Sequence, residues 1–326
     1  MNAGREGCEL HLYGIEYTAC MAIGEMFGYA KWWVKALFGS KAPLVNTVII
    51  GYACNLRCRH CSIFSNTGDE HAKAKLSYSE IVEDLKLQFE NGARIAYFEG
   101  GETTMWEDGE KDLGDLIQAA KEIGYRNVGY TTNGTGKMFT GSDVISVSID
   151  GPKEVHDMIR GEGVFDKLMD NLSKTDFTGS IYANTVLQKD NVDSITEIAE
   201  LVKNNEKLAG VIFNFITPPP HDIALSRDEK LKAIEKIREL KKNGHPILNS
   251  KRGLELLAEE DWNENCPRHV TVFIVPGGEH YNGCPMTGTD SCKKCGFAAV
   301  REYYLIKKGN PFTISEMSSI FAMPKK

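Results

Sequence analysis

From Thr47 onward the chain alternates short apolar runs with amphipathic stretches that open on helix-capping residues, and this rhythm restricts the fold more than any other feature. Runs near 47–52, 94–98, 127–132, 143–149, 180–187 and 210–215 predict six strands. Ser77 with Glu80, Ser194 with Glu197 and Ser226 with Glu229 each predict a helix start, the hydroxyl answering an orphan backbone N–H while the glutamate reaches back. Behind Ser226, Leu231, Ile234, Ile237 and Leu240 recur at helical spacing until Gly244 and Pro246 stop the helix. Short strands that are apolar throughout suit a parallel sheet covered on both faces, and right-handed crossovers wind such a sheet into an open barrel. The expected fold class is therefore α/β. A partial (β/α)6 TIM-like barrel would occupy residues 45–250, with an N-terminal helical segment over 1–44 and a small cysteine-rich C-terminal lobe over 251–326, where the strand–helix rhythm fails.

A chain of 326 residues that is 42% hydrophobic can bury one large core and is not disordered. Its formal charge of -7 argues against unspecific nucleic-acid binding, which needs surplus Lys and Arg to displace counterions. The apolar stretch from Ala19 to Phe38 is interrupted by Glu25, Lys31 and Lys35, so it does not read as a membrane span. Nine cysteines in clusters of short spacing, without a secretory signal, fit metal ligation in a reducing, cytoplasmic setting better than a disulfide framework.

The chemistry begins at the end of the first strand, in Cys54-Asn55-Leu56-Arg57-Cys58-Arg59-His60-Cys61. Three thiolates can hold three irons of a cubic iron–sulfur cluster and leave the fourth open, whereas a buried electron-transfer cluster takes four cysteines. Zinc is the competing reading, but it wants a fourth protein ligand, and His60 lies awkwardly close to Cys61 for a tetrahedron. In parallel barrels reactive groups stand at the C-terminal strand ends, and several other motifs fall there. They are Glu99-Gly100-Gly101-Glu102, Thr131-Thr132-Asn133-Gly134, Ser148-Ile149-Asp150-Gly151 followed by His156 and Arg160-Gly161, and Asn184.

This ordered set resembles the radical S-adenosylmethionine superfamily, whose cluster motif has the same Cys-x3-Cys-x2-Cys spacing; the resemblance covers roughly residues 45–220. It implies a [4Fe-4S] cluster on Cys54, Cys58 and Cys61 whose open iron is chelated by S-adenosylmethionine. Reductive cleavage would give methionine and a 5'-deoxyadenosyl radical able to attack an unactivated C–H or C=C. It implies further that Gly100 and Gly101 let the backbone approach the bound molecule, with Glu102 or a neighbouring carbonyl taking its ammonium group. Ser148 and Asp150 would meet ribose hydroxyls, Arg160 the carboxylate, Asn133 and Asn184 polar parts of the same pocket, and His60 the adenine. A reducing partner such as ferredoxin or flavodoxin would supply the electron. Thr103 stands where the family often has Pro.

Cys266, Cys284, Cys292 and Cys295 supply four more thiolates, enough to close a second, auxiliary [4Fe-4S] cluster or to fill a tetrahedral zinc site. The tail resembles the auxiliary-cluster (SPASM/twitch-like) extensions of radical S-adenosylmethionine enzymes. Cys8 and Cys20 have no partners at ligand spacing.

A looser resemblance links the helix around 19–38, Glu162-Gly163-Val164-Phe165-Asp166-Lys167 and Cys295-Gly296-Phe297 to adenosylhopane synthases, which act on a polycyclic isoprenoid lipid. It implies a small-molecule or lipid-like substrate, with peripheral membrane contact through the Trp- and Phe-rich helix as one option and packing on the protein's own core as the other. A peptide-modifying maturase and a non-catalytic iron–sulfur scaffold are the alternatives; the N-terminal region lacks the alternating β signals of a peptide-docking module. Tyr97, Asn214, Thr217 and His221 lie near strand ends where a pocket or ordinary packing would take them.

Overall fold

The computed structural model describes residues 32–36, 38–61, 71–217, 222–314 and 316. Cys8, Cys20, His221, Pro218 to Pro220 and the greater part of the 19–38 helix lie outside them.

The chain runs β1 (Val45–Ile49), α1 (Tyr78–Asn91), β2 (Ile95–Glu99), a two-residue hairpin β3 (Glu107–Asp108) and β4 (Lys111–Asp112), α2 (Leu113–Ile123), β5 (Asn127–Thr132) and β6 (Val144–Ser148). It continues through α3 (Lys153–Arg160), α4 (Val164–Lys174), β7 (Ser180–Leu187), α5 (Ile195–Asn204), β8 (Gly210–Phe215) and α6 (Arg227–Lys242). After α7 (Lys251–Leu257) come β9 (Thr271–Ile274), β10 (His280–Asn282) and α8 (Ala298–Lys307). All six expected strands are present, the first shifted to 45–49 because its ladder with β2 begins at Val45–Ile95.

The main sheet has eight strands in the order β10-β9-β1-β2-β5-β6-β7-β8, and its two ends do not pair with each other. Every pairing is parallel except β10 with β9. The two extra strands come from the C-terminal segment: β9 adds to the free edge of β1 in register Val45↔Thr271. The cysteine-rich tail is thus built into the sheet. His280 on β10 fastens the hairpin to α1, its Nε2 lying 2.7 Å from Oδ1 of buried Asp84.

Alternation along β2 shows the layering. Ala96 and Phe98 are fully buried against the helices, in a core with Leu85, Leu116 and Ile117, whereas Ile95 and Tyr97 face inward beside Val45 and Val270. Two of the three capping boxes form as expected, at Ser77–Glu80 and Ser226–Glu229. The third does not: the chain enters α5 through a 3-10 turn, Val192–Ser194, and Ser194 at φ -89, ψ 8 leaves the extended conformation its hydroxyl would need to cap.

The β8 edge is sealed by residues 246–249. Val211 N donates to Pro246 O, Leu248 N to Val211 O, and the side chain of fully buried Asn249 bonds both N and O of Phe213. α8 then runs from β8 across to the start of β1. Ala298 N donates to Asn214 Oδ1 at the C-terminal end of β8, while Tyr303 and Ile306 pack with Trp32, Val45 and Val270 at the other end of β1. Trp32 is 6% exposed and Trp33 Nε1 donates to Ile306 O, so both tryptophans are packed against the protein itself.

Candidate active site

The cysteine run leaves β1 at the C-terminal edge of the sheet and is braced there by backbone. Ile50 N donates to Glu99 O, Gly101 N to Gly51 O at 2.9 Å and Glu102 N to Ala53 O at 2.7 Å. A Cβ at Gly100 would lie 2.4 Å from Gly51 O, and one at Gly101 2.2 Å from Ala53 O, so only glycine permits this contact. The pair therefore brings two segments of the chain together, a role that sequence did not foresee.

Glu102 is buried and its carboxylate is taken up by the protein. Oε1 accepts from Thr132 Oγ1 at 2.6 Å and from both N and Oγ1 of Thr104; Oε2 accepts from Asn133 N at 2.7 Å. With four donors on a carboxylate, little accepting capacity remains for an ammonium group. Asn133 Nδ2 donates to Asn55 Oδ1 and Asn55 Nδ2 to Thr135 Oγ1, both at 2.9 Å, which ties the middle of the cysteine run to the end of β5. Sequence reasoning passed over Asn55 and Thr135, although Asn55 sits inside the motif itself.

From the other side comes a charged group. Arg160, at the end of α3, places Nε 2.6 Å from Asp150 Oδ2, Nη1 3.9 Å from Cys58 Sγ and Nη2 3.4 Å from His60 Nε2. Asp150 has no solvent exposure, and its other oxygen accepts from Val186 N at 3.0 Å. Burial, the largest single influence, would raise this carboxyl, but the charges of Arg160, His60 and His156 and the Val186 N–H together outweigh it and hold Asp150 below the usual carboxylate range. Both carboxylate oxygens of Asp150 thus take protein donors, and the pair aims Arg160 at the cysteine loop. Ser148 and Asn184 are register partners on β6 and β7, and Asn184 Oδ1 accepts from Asn214.

Do these residues suit a cluster? His60 Nδ1 is buried without a partner among the described residues, a costly state for a polar atom unless a ligand meets it. With no metal bound, burial pushes the Cys58 thiol up to about 11, against the pull of Arg160. Iron ligation reverses that preference by taking the thiolate. Among the described residues no three His, Cys, Asp or Glu side chains close around one point as tightly as a single ion requires. A backbone-braced loop of three thiols, facing a guanidinium and an unsatisfied imidazole nitrogen, fits a larger anionic group with a polar ligand beside it.

The barrel interior below this loop is polar. Tyr97 OH lies 3.2 Å from both Thr131 Oγ1 and Tyr182 OH. Glu99, one step above on β2, has its carboxyl pushed up to about 7 by burial. Of these, Tyr97 was marked from sequence as a pocket or packing residue, Glu99 and Thr131 stood only inside strand-end motifs, and Tyr182 was passed over. Asn214 and Thr217 are occupied with the C-terminal segment, bonding Ala298 N and Gly296 N.

Residues 48–202 match the Radical SAM superfamily. The chain carries a radical SAM domain. Over 177 residues it is 31% identical to mycofactocin maturase MftC of Mycolicibacterium smegmatis, covering 50% of this chain and 42% of that protein. Over 205 residues it is 26% identical to a probable GTP 3',8-cyclase of Sulfurisphaera tokodaii, covering 58% and 62%. The chain thus matches about half the length of these curated relatives. Among solved structures, Streptococcus suis SuiB bound to precursor peptide SuiA is similar at TM-score 0.62 and 14% identity, covering 97% of this chain and 75% of that one. SuiB bound to S-adenosylmethionine gives 0.60, also at 14% identity, over 85% and 68%. These similarities show the fold, a partial barrel that does not close. The radical SAM domain spans β1 to α5 and so holds the cysteine run, Gly100, Gly101, Asp150 and Arg160.

Proposed function

We propose that the protein is a radical SAM enzyme that uses Cys54, Cys58 and Cys61 to hold a [4Fe-4S] cluster with one iron open to S-adenosylmethionine. The observation that carries this reading is the Asp150–Arg160 pair aimed at the three-cysteine loop inside a domain of that superfamily. When bound and reduced, the cluster supplies the electron that splits the sulfonium into methionine and a 5'-deoxyadenosyl radical. The chain's own residues orient and enclose. Arg160 offers its Nη groups to the carboxylate of S-adenosylmethionine, and backbone carbonyls near Gly100 receive the ammonium group, because Glu102 is already saturated. His60 Nδ1, Ser148 and Asn184 are the remaining polar groups for the nucleoside; Asn133, expected there from sequence, has its side chain bonded to Asn55 and Thr135.

Cys266, Cys284, Cys292 and Cys295 are read as ligands of an auxiliary [4Fe-4S] cluster, with structural zinc as the alternative. Residues 251–326 form the segment that carries it, beside a barrel at 45–250 and a leading segment at 1–44. A ferredoxin- or flavodoxin-like reductant and a cytoplasmic setting belong to the same reading. Among the described residues no helix is long and apolar enough to cross a membrane.

On substrate, the inward-facing Tyr97, Glu99, Thr131 and Tyr182 favour a polar molecule over a long apolar chain, which lends no support to the adenosylhopane-synthase resemblance. A polar small molecule is the first reading. A peptide is the second, supported by the maturase relative and by SuiB with its peptide. Reduced, reconstituted protein should form 5'-deoxyadenosine from S-adenosylmethionine, measured by chromatography, and Cys58→Ala should form none. Equal, background-level product from both would favour an iron–sulfur scaffold.

A further inference from the structure

The four cysteines of the C-terminal segment share their surroundings with a buried cation. Arg301 on α8 is 1% exposed. Its Nη1 donates to Cys295 Sγ at 3.2 Å and its Nη2 to Cys295 O at 2.8 Å, while the guanidinium lies 4.5 Å from the centre of the Trp262 ring. Nε is buried with no partner among the described residues. Arg160 has Asp150 at 2.6 Å; among the described residues no carboxylate forms an ion pair with Arg301, and Glu259 acts on it only from beyond ion-pair distance. A second cation stands behind it. Lys230 of α6 reaches over the Phe215 ring at 5.2 Å and feels the charges of both Arg301 and Cys295.

Burying a cation without a counter-charge is expensive, and removing one partner of a buried pair more so. A neutral thiol is a weak acceptor and answers little of that charge. A thiolate answers it well. Cys266 feels the charges of Cys284, Cys295 and Cys292, and Arg301 feels those of Cys295 and Cys266, so the guanidinium stands beside the group of four cysteines. Four thiolates around iron–sulfur or zinc leave a net negative centre, the group this pocket lacks.

We propose that Arg301, with Lys230 behind it, is the counter-charge of an anionic metal–thiolate centre on Cys266, Cys284, Cys292 and Cys295, and that its N–H···S bond to Cys295 raises the reduction potential of that centre. This rests on the auxiliary-cluster reading. Reduction adds negative charge to the cluster. A positive charge and a hydrogen bond on one of its sulfurs stabilise the reduced form selectively. Arg301 is a positioning residue for redox poise and touches no reacting atom.

The test is an EPR-monitored redox titration of the reconstituted full chain. About eight irons in wild type and about four in a chain lacking the four C-terminal cysteines would establish the second cluster first. Wild type with about four irons, or with zinc, would end the auxiliary-cluster reading before any arginine variant is made. With eight irons in place, Arg301→Met should move the second cluster's potential to lower values and leave the first cluster's unchanged. Arg301→Lys should recover part of the shift, and Lys230→Met should give a smaller shift in the same direction. An unchanged potential in Arg301→Met with all irons retained would overturn the proposal. So would a shift in Arg301→Lys as large as in Arg301→Met, which would assign the effect to packing on Trp262. Should Arg301→Met fail to fold, Arg301→Gln carries the same comparison.

Discussion

Glu99 is an acid in a place where acids are uncomfortable. It faces the barrel interior one residue before the glycine pair, and burial lifts its carboxyl from 4.5 to about 7. The folded state therefore holds the proton more tightly than the unfolded chain. The stability associated with it is fully present below about pH 4.5 and is lost as pH rises to about 7. Glu99→Gln imitates the protonated form. Its urea midpoint should match wild type at pH 4 and exceed it at pH 8, by up to about 3 kcal/mol in free energy. A constant difference across that range would mean that the side chain meets water. Residue by residue, the sequence marked the motif cysteines and Arg160, which the fold does bring together, because residue type and spacing set them apart. It did not disclose that Glu102 and Asp150 spend their oxygens on protein donors. Hydrogen-bond saturation is a property of neighbours brought in from other strands. Glu99 was legible in principle, as an inward position of an alternating strand, yet its environment was not.

At the scale of elements, β9 explains what the sequence reading lacked. Its Thr271-Val272-Phe273-Ile274 run is short and β-branched, with strand character of its own, but it stands far from the main rhythm and joins β1 from outside it. Local periodicity finds strands and does not say which edge they will choose. The six barrel strands were legible because each lies in a regular crossover; the third capping box failed because a 3-10 turn intervened. The segment after the last cysteine also depends on one glycine. Phe215 N donates to Gly296 O, and a Cβ at Gly296 would lie 2.1 Å from Phe215 O. Gly296→Ala should push this segment off the end of β8. Limited proteolysis should then cleave between about residues 258 and 297 at least tenfold faster, since opening by about 1.4 kcal/mol changes an exposed population tenfold. An unaltered digestion pattern would show that the contact can relax.

On the scale of the whole molecule, the C-terminal segment and the barrel hold each other closed. β9 extends the sheet beyond β1, α8 runs from the end of β8 to Val45 and Val270, and Ser250 N donates to the Glu302 side chain at 2.9 Å. Chains of this length often unfold through intermediates, but shared strands and a shared core oppose separation. Two variants, one keeping only Trp106 in the barrel core and one only Trp262 beside α8, should give coincident denaturation curves by fluorescence. Transitions separated by more than about 0.3 M urea, a fraction of a kcal/mol at ordinary slopes, would mean that the tail opens by itself.

The backbone brace between residues 50–53 and 99–102 has a consequence for assembly. It positions the segment leading into Cys54 through main-chain bonds that need no iron. On the proposed cluster ligation, part of the entropy of building the metal cage would thus be settled during folding, with the first thiol held at a fixed address before iron and sulfide arrive.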